Sequence, residues 1–551
     1  LSAEQDHEDR FQDSSAREYL IERAARSVTE LQSSVNNLAD VMVFLEVLGY
    51  TDSDARKAGL ADLYELSVQV FQRIDFYDDG TSPTTEENAD HKVPVPSVRK
   101  RVIESLSLAT PWLGAMALLY AFGVSLWLAW GLPLGPVTGL MIGVLLGLLV
   151  SEGPMQAFTR IFTFHHLQGN VSECRRALKR SYMAITMLLV GSLGALAVSS
   201  YLLKVPWELM GLAAVAAVTV AVHRMGYLPI YALKKTNQIV ISYAIALPLL
   251  AIVYESTGGY FPDPVIRYLV SLSASLSVLS VFAWYNSKKS LVIETDKIIG
   301  KDAPSFFKPI FINPNSIASK FSVQFWEALP YYLFGTFFFI LIFSDRVLSW
   351  LGNPVKQVGG VFLPMVFNSV YHAGADMALV VLFPVAILQY VMLSSVHEEL
   401  NNLSLDLRIT QTEEVDKFIR RRYTKALNAT LLVSLGAAAL VIAFGPDLVA
   451  RTARSPISLQ ILNVAVPSDV LLCLFVVNSS FIILLNRPQL LTLIAMTGAA
   501  LVAGGGLVLL PLGFQYLVYA YLVGCVSVAV LSTAYVAALL RSPSKLYFSR
   551  F

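Results

Sequence analysis

Twelve stretches of about 20 apolar residues, each long enough to cross a ~30 Å hydrocarbon layer as a helix, occupy this chain from residue 109 onward. They run over 109–130, 135–153, 182–203, 206–226, 237–254, 265–286, 328–349, 361–395, 427–448, 459–485, 488–511 and 514–540. A helix satisfies its backbone polar groups internally, as a segment surrounded by lipid must. The expected fold is therefore all-α: a polytopic membrane protein of about 12 transmembrane helices in two six-helix lobes. Several gaps are only a few residues long, so neighbouring spans are antiparallel hairpins. Composition agrees, with 55% hydrophobic and 15% charged residues and a mean hydropathy of +0.58, where soluble domains carry about 25% charged residues. These values exclude a water-soluble globule, a disordered chain and a nucleic-acid binder with a large basic excess. Cys174, Cys473 and Cys525 are odd in number and far apart, which gives neither a disulfide framework nor a metal spacing.

Charge is unevenly divided. Residues 1–98 hold 20 Asp and Glu against 8 Lys and Arg, a balance of −12, and the remainder carries +13. The acidic piece predicts a small N-terminal cytoplasmic helical domain, a hairpin over 1–74. Apolar residues at Leu20, Ala24, Val28, Leu31, Val35, Leu38, Met42 and Leu45 follow helical spacing up to Gly49. Asp52-Ser53-Asp54 then cap a second helix carrying Leu60, Leu63, Leu66, Val70 and Ile74. A hairpin this small buries little alone and needs the membrane body, a partner or its own copy. Residues 75–104 form an acidic linker and a basic juxtamembrane segment, 105–290 the first lobe, 291–327 a cytoplasmic inter-lobe segment and 328–551 the second lobe. The chain opens on Leu1 and shows no secretory h-region in its first 20 residues; its true start is expected upstream.

Orientation follows from Lys and Arg in short loops. With the N-terminus cytoplasmic, the inner side collects 27 of them and the outer side six: Lys204, Arg267, Arg346, Lys356, Arg451 and Arg454. Both termini are thus expected inside a plasma (inner) membrane. Arg175, Arg176 and Arg180, with Arg420, Arg421 and Arg422, form a cytoplasmic basic face suited to anionic lipid. Trp127, Trp130, Trp207 and Trp350 fit an outer aromatic belt. The halves hint at a parallel repeat: His165-His166 and His397-Glu398 follow the second span of each half, and Tyr182 and Tyr423 open each third span. Stretches 135–166 and 361–395 would run about 48 and 52 Å as helices, beyond the hydrocarbon core.

Chemistry-bearing motifs are missing. There is no GxxxxGK[ST] cradle, no G-x-S-x-G elbow and no TVGYG filter; His397 to Asn401 is not HExxH. No enzyme activity, cofactor or metal is expected, and Asn170, Asn402, Asn428 and Asn478 fall where glycosylation is not. Ionisable groups inside spans are costly and face a cavity or a partner. Glu152, Gln156 and Arg160 roughly share one face of the second span, and His372 and Asp376 share one face of the eighth. With Glu327, Tyr331 and Asp469 they are read as lining a transport cavity between the lobes, built mainly from helices one, two, seven and eight. Each has a structural counterpart: Glu152–Arg160 as an intrahelical ion pair, His372–Asp376 as a hydrogen-bonded pair, Asp469 as a helix N-cap after Pro467-Ser468, and His223-Arg224 as part of the basic rim.

The loop after the second span lacks the G-x-x-x-D-R-x-G-R pattern of the major facilitators. Arg160, then Gly169-Asn170, then Arg175, Arg176, Lys179 and Arg180 resembles instead the loop of the MOP flippase superfamily. Pro330 to Phe338, with Gly335 amid aromatics, continuing to Ser344-Asp345-Arg346 and Trp350, resembles the seventh span of Pel-type exopolysaccharide transporters. Residues 490–524 are similar to the closing spans of polysaccharide exporters. The resemblance covers about 105–551. It implies export of a polysaccharide, or flipping of a lipid-linked oligosaccharide, by alternating access without covalent chemistry. Arg160 would attract an anionic sugar or pyrophosphate, and Glu152, His372 and Asp376 would take a coupling cation or proton. Membrane lipid, a glycan or glycolipid substrate and a cytoplasmic protein on the acidic head are the expected partners, with no nucleic acid. A cation-coupled multidrug or metabolite antiporter of the same fold, and a non-transporting scaffold, are the other readings. The hundred residues before the first span depart from the resemblance and suggest an added docking head.

Overall fold

The computed structural model describes residues 17–29, 38–77, 97–126, 129, 131–167, 171–233, 235–299, 321–406, 412–453 and 455–548. Among these, twelve helices are long and apolar enough to cross a membrane. The first six are α5 (Val98–Phe122), α6 (Leu134–Leu167), α7 (Val171–Leu202), α8 (Trp207–Ala232), α9 (Thr236–Ser256) and α10 (Pro264–Ile299). The second six are α11 (Phe321–Leu351), α12 (Ser369–Ala378) with α13 (Leu382–Asp406), α14 (Thr412–Thr452), α15 (Pro456–Leu484), α16 (Pro488–Leu509) and α17 (Leu517–Leu539). With an even number of crossings, the two ends of the membrane body lie on one side, here called the termini side. Each half packs into its own lobe with its own apolar core. The lobes meet where α6 lies on α11 and α5 lies on α13.

The second span is one uninterrupted helix of 34 residues, about 51 Å at 1.5 Å per residue, as its apolar length predicts. Its glycines set the first lobe. A Cβ on Gly139 would lie 2.7 Å from the Leu209 carbonyl and one on Gly147 2.8 Å from that of Ala217, with Gly143 against Ala213 between them. Small residues every fourth position let two backbones close on each other, the usual basis of helix pairing in lipid.

The eighth span departs from expectation. A helix from 361 is replaced by a hairpin of β1 (Gln357–Val358) and β2 (Val361–Phe362), turned by Gly359 and Gly360, both at positive φ. Helix begins only at Ser369, with Asn368 accepting from the Tyr371 N–H. It breaks over Leu379–Val381, because Pro384 offers no N–H to the Val380 carbonyl. The first span also differs: it ends at Phe122, where left-handed Gly123 caps it, and does not continue to 130. Hydropathy cannot see either stop, because the residues beyond remain apolar. Tyr182 and Tyr423 do occupy matching places near the starts of α7 and α14.

Among the described residues the N-terminal piece holds α1 (17–29), α2 (Leu38–Val47), α3 (Asp52–Lys57) and α4 (Leu63–Tyr77), so the expected second helix is two; residues 30–37, with Leu31 and Val35 of the expected first helix, lie outside the described residues. Thr51, one residue earlier than expected, is the cap. Its hydroxyl accepts from the Asp54 N–H while the Asp54 carboxylate accepts from the Thr51 N–H. Ala24, Val28, Val41, Leu45, Leu66 and Val70 close a core. The head is seated on the second lobe: Met42 and Tyr64 join the cluster of Val415, Phe418, Ile419 and Leu546. Asp62 pairs with Lys545 on α18 (Pro543–Phe548). Burial, with Asp416 and Asp62 nearby, pushes the Tyr64 phenol up to about 12. Burial also raises Asp62, but Lys545 and the backbone N–H groups of Glu65 and Tyr64 outweigh it and hold the carboxyl below its usual 3.8. A depressed carboxyl contributes stability above its unfolded pKa and loses it as pH falls through the folded one, so this tie is intact at neutral pH and is lost below about 3.8. Lys545→Glu is expected to weaken the seat by about 1 kcal/mol, read as a roughly fivefold rise in hydrogen exchange of α4 with the membrane body unchanged.

Candidate functional site

Seven of the eight predicted cavity residues divide between two places, and Glu327 joins neither. Glu152, Gln156 and Arg160 lie on the α6–α11 seam with Tyr331. His372, Asp376 and Asp469 lie inside the second lobe, toward the side opposite the termini. Glu327 is exposed at the termini-side end of α11.

On the seam, Glu152 pairs with Arg224 of α8, not with Arg160. Gln156 Nε2 donates to the other Glu152 oxygen at 2.9 Å. Eight residues along a helix puts two side chains about 12 Å apart, and Arg224 reaches the carboxylate from the neighbouring helix. Arg224 is therefore an intramembrane partner and not a member of the basic rim. Arg160 stands over Tyr331, its guanidinium carbon 5.7 Å from the ring centroid, a cation–π distance. The lobes interlock here. A Cβ on Gly153 would meet Thr336 Oγ1 at 2.5 Å and the Tyr332 ring at 2.8 Å, and one on Gly335 would meet Gln156 Cγ at 2.6 Å.

The seam is held at both ends. On the side opposite the termini, Val137 packs with Trp350 and Phe367, and Thr138 Oγ1 accepts from the Phe367 N–H at 3.0 Å. On the termini side, Gln324 of α11 reaches His165 at 3.0 Å, donates to Glu173 at 3.5 Å and accepts from Arg180. The α5–α13 contact adds buried Arg101 donating to Ser395 and Tyr390 donating to Glu104 at 3.3 Å.

In the second lobe, Arg346 is fully buried, where the sequence placed it in an outer loop. Its Nε donates to Asp376 at 2.8 Å, Nη2 to the Ala375 carbonyl at 2.9 Å, and Nη1 to the Ile342 carbonyl at 2.7 Å and to Asp345 at 3.1 Å. Tyr371 donates to Asp345 at 2.7 Å. The Trp350 indole donates to His372 Nε2 at 2.9 Å, while His372 Nδ1 lies 2.7 Å from Asp376. Indole nitrogen is only a donor, so Nε2 accepts, Nδ1 carries the hydrogen and His372 is neutral. Trp350 is thus a core residue, whereas Trp207 is exposed at the start of α8; Trp127 and Trp130 lie outside the described residues. Asp469 is an interior residue of α15, whose cap is Ser455. It accepts from Tyr521 at 2.6 Å, its Oδ2 has no hydrogen-bond partner among the described residues, and Tyr521 lies under Arg346 with 5.8 Å from guanidinium to ring. Asp376, its side chain 47% exposed, is where this otherwise buried network opens.

Sequence reasoning nominated neither Asp345, Arg346, Tyr371 nor Tyr521. The available signal was an acid–base dipeptide inside an apolar run, a costly arrangement that marks a partner. Of the basic face, Arg175 and Arg421 are exposed. Arg176 pairs with Glu173 at 3.1 Å, Arg420 donates to the Leu540 and Arg541 carbonyls at 2.7 Å, and Arg422 pairs with Glu399.

Two six-helix lobes facing each other across α5, α6, α11 and α13, with charge held inside each, define a two-lobed helical membrane body. Its fold is that of the MATE transporters of the MOP superfamily. A MATE in the bent conformation superposes with a TM-score of 0.55 at 12% identity, covering 82% of this chain and 97% of that one. A MOP superfamily transporter from Pyrococcus furiosus gives 0.56 at 12%, over 82% and 97%. An outward-facing multidrug resistance MATE family transporter gives 0.54 at 12%, over 81% and 97%. No protein-family profile and no curated protein matches the sequence.

Proposed function

We propose that the chain is a secondary transporter that moves an anionic glycan or glycolipid across the membrane by rocking its two lobes about the α6–α11 and α5–α13 seams. The observation that carries this reading is the seam itself. It sets Tyr331, Tyr332, Thr336, Gln156 and Arg160 side by side, aromatic faces and hydrogen-bonding groups beside a cation, which is the chemistry that holds sugar rings and acidic groups. Arg160 engages only an aromatic face among the contacts described above, so its charge is available to cargo.

A second reading, cation-coupled antiport of drugs or metabolites, is favoured by the charge count of the second lobe. Asp345, Asp376 and Asp469 set three carboxylates against Arg346 alone, because His372 is neutral. With all three ionised the network is short by two positive charges, which suits uptake of a proton or a monovalent cation that re-sorts the hydrogen bonds. The two readings can coexist, the network supplying the drive and the seam the path.

The test is a glycan export assay with Arg160→Ala and Asp376→Asn, each checked for abundance in the membrane. Couplings of 1–3 kcal/mol correspond to about 5–150-fold, so each variant is expected to reduce exported glycan at least fivefold. Unchanged export together with normal gradient-driven dye efflux by the wild type would transfer the assignment to the antiporter. Unchanged export with loss only on removal of residues 1–77 would favour a scaffold whose head recruits a partner.

A further inference from the structure

On the termini side, α5 and α9 touch closely in mid-membrane, where Gly114 faces Leu247, and diverge toward their first turns. The gap between them is a cavity of about 570 Å³. Arg99 and Lys100 stand on one wall and Lys235 on the other, with Ser97, Thr236, Asn237 and Gln238 between them and Glu104 the one acidic group. The first turns of both helices line the same space, and helix N-termini favour anions. Below this polar mouth the surface turns apolar: Ile103 and Leu106 on α5, and Ile241 and Ile245 on α9, are exposed along the faces that continue from Lys100 and Asn237. A basic pocket over an apolar groove, at the level where the first turns of membrane helices lie, matches an amphiphile in both its parts.

We propose that this cavity is a binding site for one anionic phospholipid of the leaflet facing the termini, its phosphate held by Arg99, Lys100 and Lys235 and its acyl chain laid along Ile103, Leu106, Ile241 and Ile245. The site lies between two helices of the first lobe, apart from the α6–α11 seam that holds Arg160 and Tyr331, so it does not depend on what the protein carries. Because α5 also reaches α13 through Arg101 and Glu104, one and four residues beyond Lys100, the lipid would bear on the helix that joins the lobes.

The experiment is native mass spectrometry of the full-length protein in detergent, titrated with dioleoylphosphatidylglycerol, with dioleoylphosphatidylcholine, and with glycerol phosphate as the headgroup alone. One phosphatidylglycerol is expected to bind more tightly than the rest and than any phosphatidylcholine. Each basic residue near a membrane surface is worth about 1 kcal/mol, or about fivefold, so Arg99→Gln with Lys100→Gln should weaken that site about 25-fold. Both positions are exposed and their substitution should leave folding intact. Asn237→Trp, which fills the cavity and keeps its charges, should also abolish the tight site, and Arg421→Gln, elsewhere on the same side, should not. Equal binding in the double variant, equal loss in Arg421→Gln, or a full site in Asn237→Trp would overturn the proposal. Glycerol phosphate binding as tightly as the lipid would assign the pocket to a free phosphate instead.

Discussion

Arg346→Met is expected to be the most destabilising single substitution in the membrane body. The guanidinium is completely buried and serves four acceptors: two carboxylates, Asp345 and Asp376, and two carbonyls, Ile342 and Ala375. Removing it strands Asp345, itself 1% exposed, without its counter-charge, and breaking a buried ion pair from one side costs about 3–5 kcal/mol. The loss should appear as a lower apparent unfolding temperature in detergent. Arg346→Lys keeps the charge but not the planar fork that reaches α12 and its own helix together, so it should recover only part. Adding Asp345→Asn and Asp376→Asn to Arg346→Met removes the stranded charges along with their partner and should recover most of the stability. A single variant as stable as the wild type would mean that the network is neutralised by protons and that Arg346 is not its counter-ion.

Much of the architecture was legible because lipid restricts what a chain can do. Length and apolarity together imply helices, and twelve of them follow from counting. What stayed hidden was set by local stops and by neighbours in space. Gly123 ends α5 inside an apolar stretch and Gly359-Gly360 turn a hairpin whose second strand opens the next one, and hydropathy averages over both. The candidate site shows the same division. Glu152, His372 and Asp376 stood out as ions in apolar surroundings, and each does have an ionic or hydrogen-bonded partner. Their partners, Arg224 and Arg346, were assigned to loops because both lie near the predicted ends of spans, where a cation ordinarily reaches water. Helices 26 and 31 residues long carry these two residues inside the protein. Arg101 makes the same point at the start of α5, buried against Ser395 although its neighbours Arg99 and Lys100 are exposed.

Gly153→Leu is expected to arrest transport while leaving each lobe folded. Gly153 and Gly335 press into the opposite lobe half-way along α6 and α11, and neither has room for a single added carbon. A leucine at 153 would drive into Thr336 and the Tyr332 ring, and overpacking of this kind costs about 1–3 kcal/mol. The penalty falls only on conformers in which the seam is closed, so their share drops by about 5–150-fold. A carrier that rocks through the closed seam in every cycle slows in proportion. Spin labels at Arg175→Cys on α7 and Arg421→Cys on α14 report the change directly, because both positions are exposed and lie on different lobes, while Cys174, Cys473 and Cys525 are buried. The distance distribution should widen in Gly153→Leu and in Gly335→Leu. It should widen little further when the two are combined, because both open one joint and contacting sites are not additive. Gly191→Leu and Gly436→Leu, where an added Cβ meets nothing within 4 Å, should leave the distribution and transport as they are. If Gly153→Leu matches those controls in both measurements, the α6–α11 seam is a fixed interface and lobe rocking about it is not the mechanism.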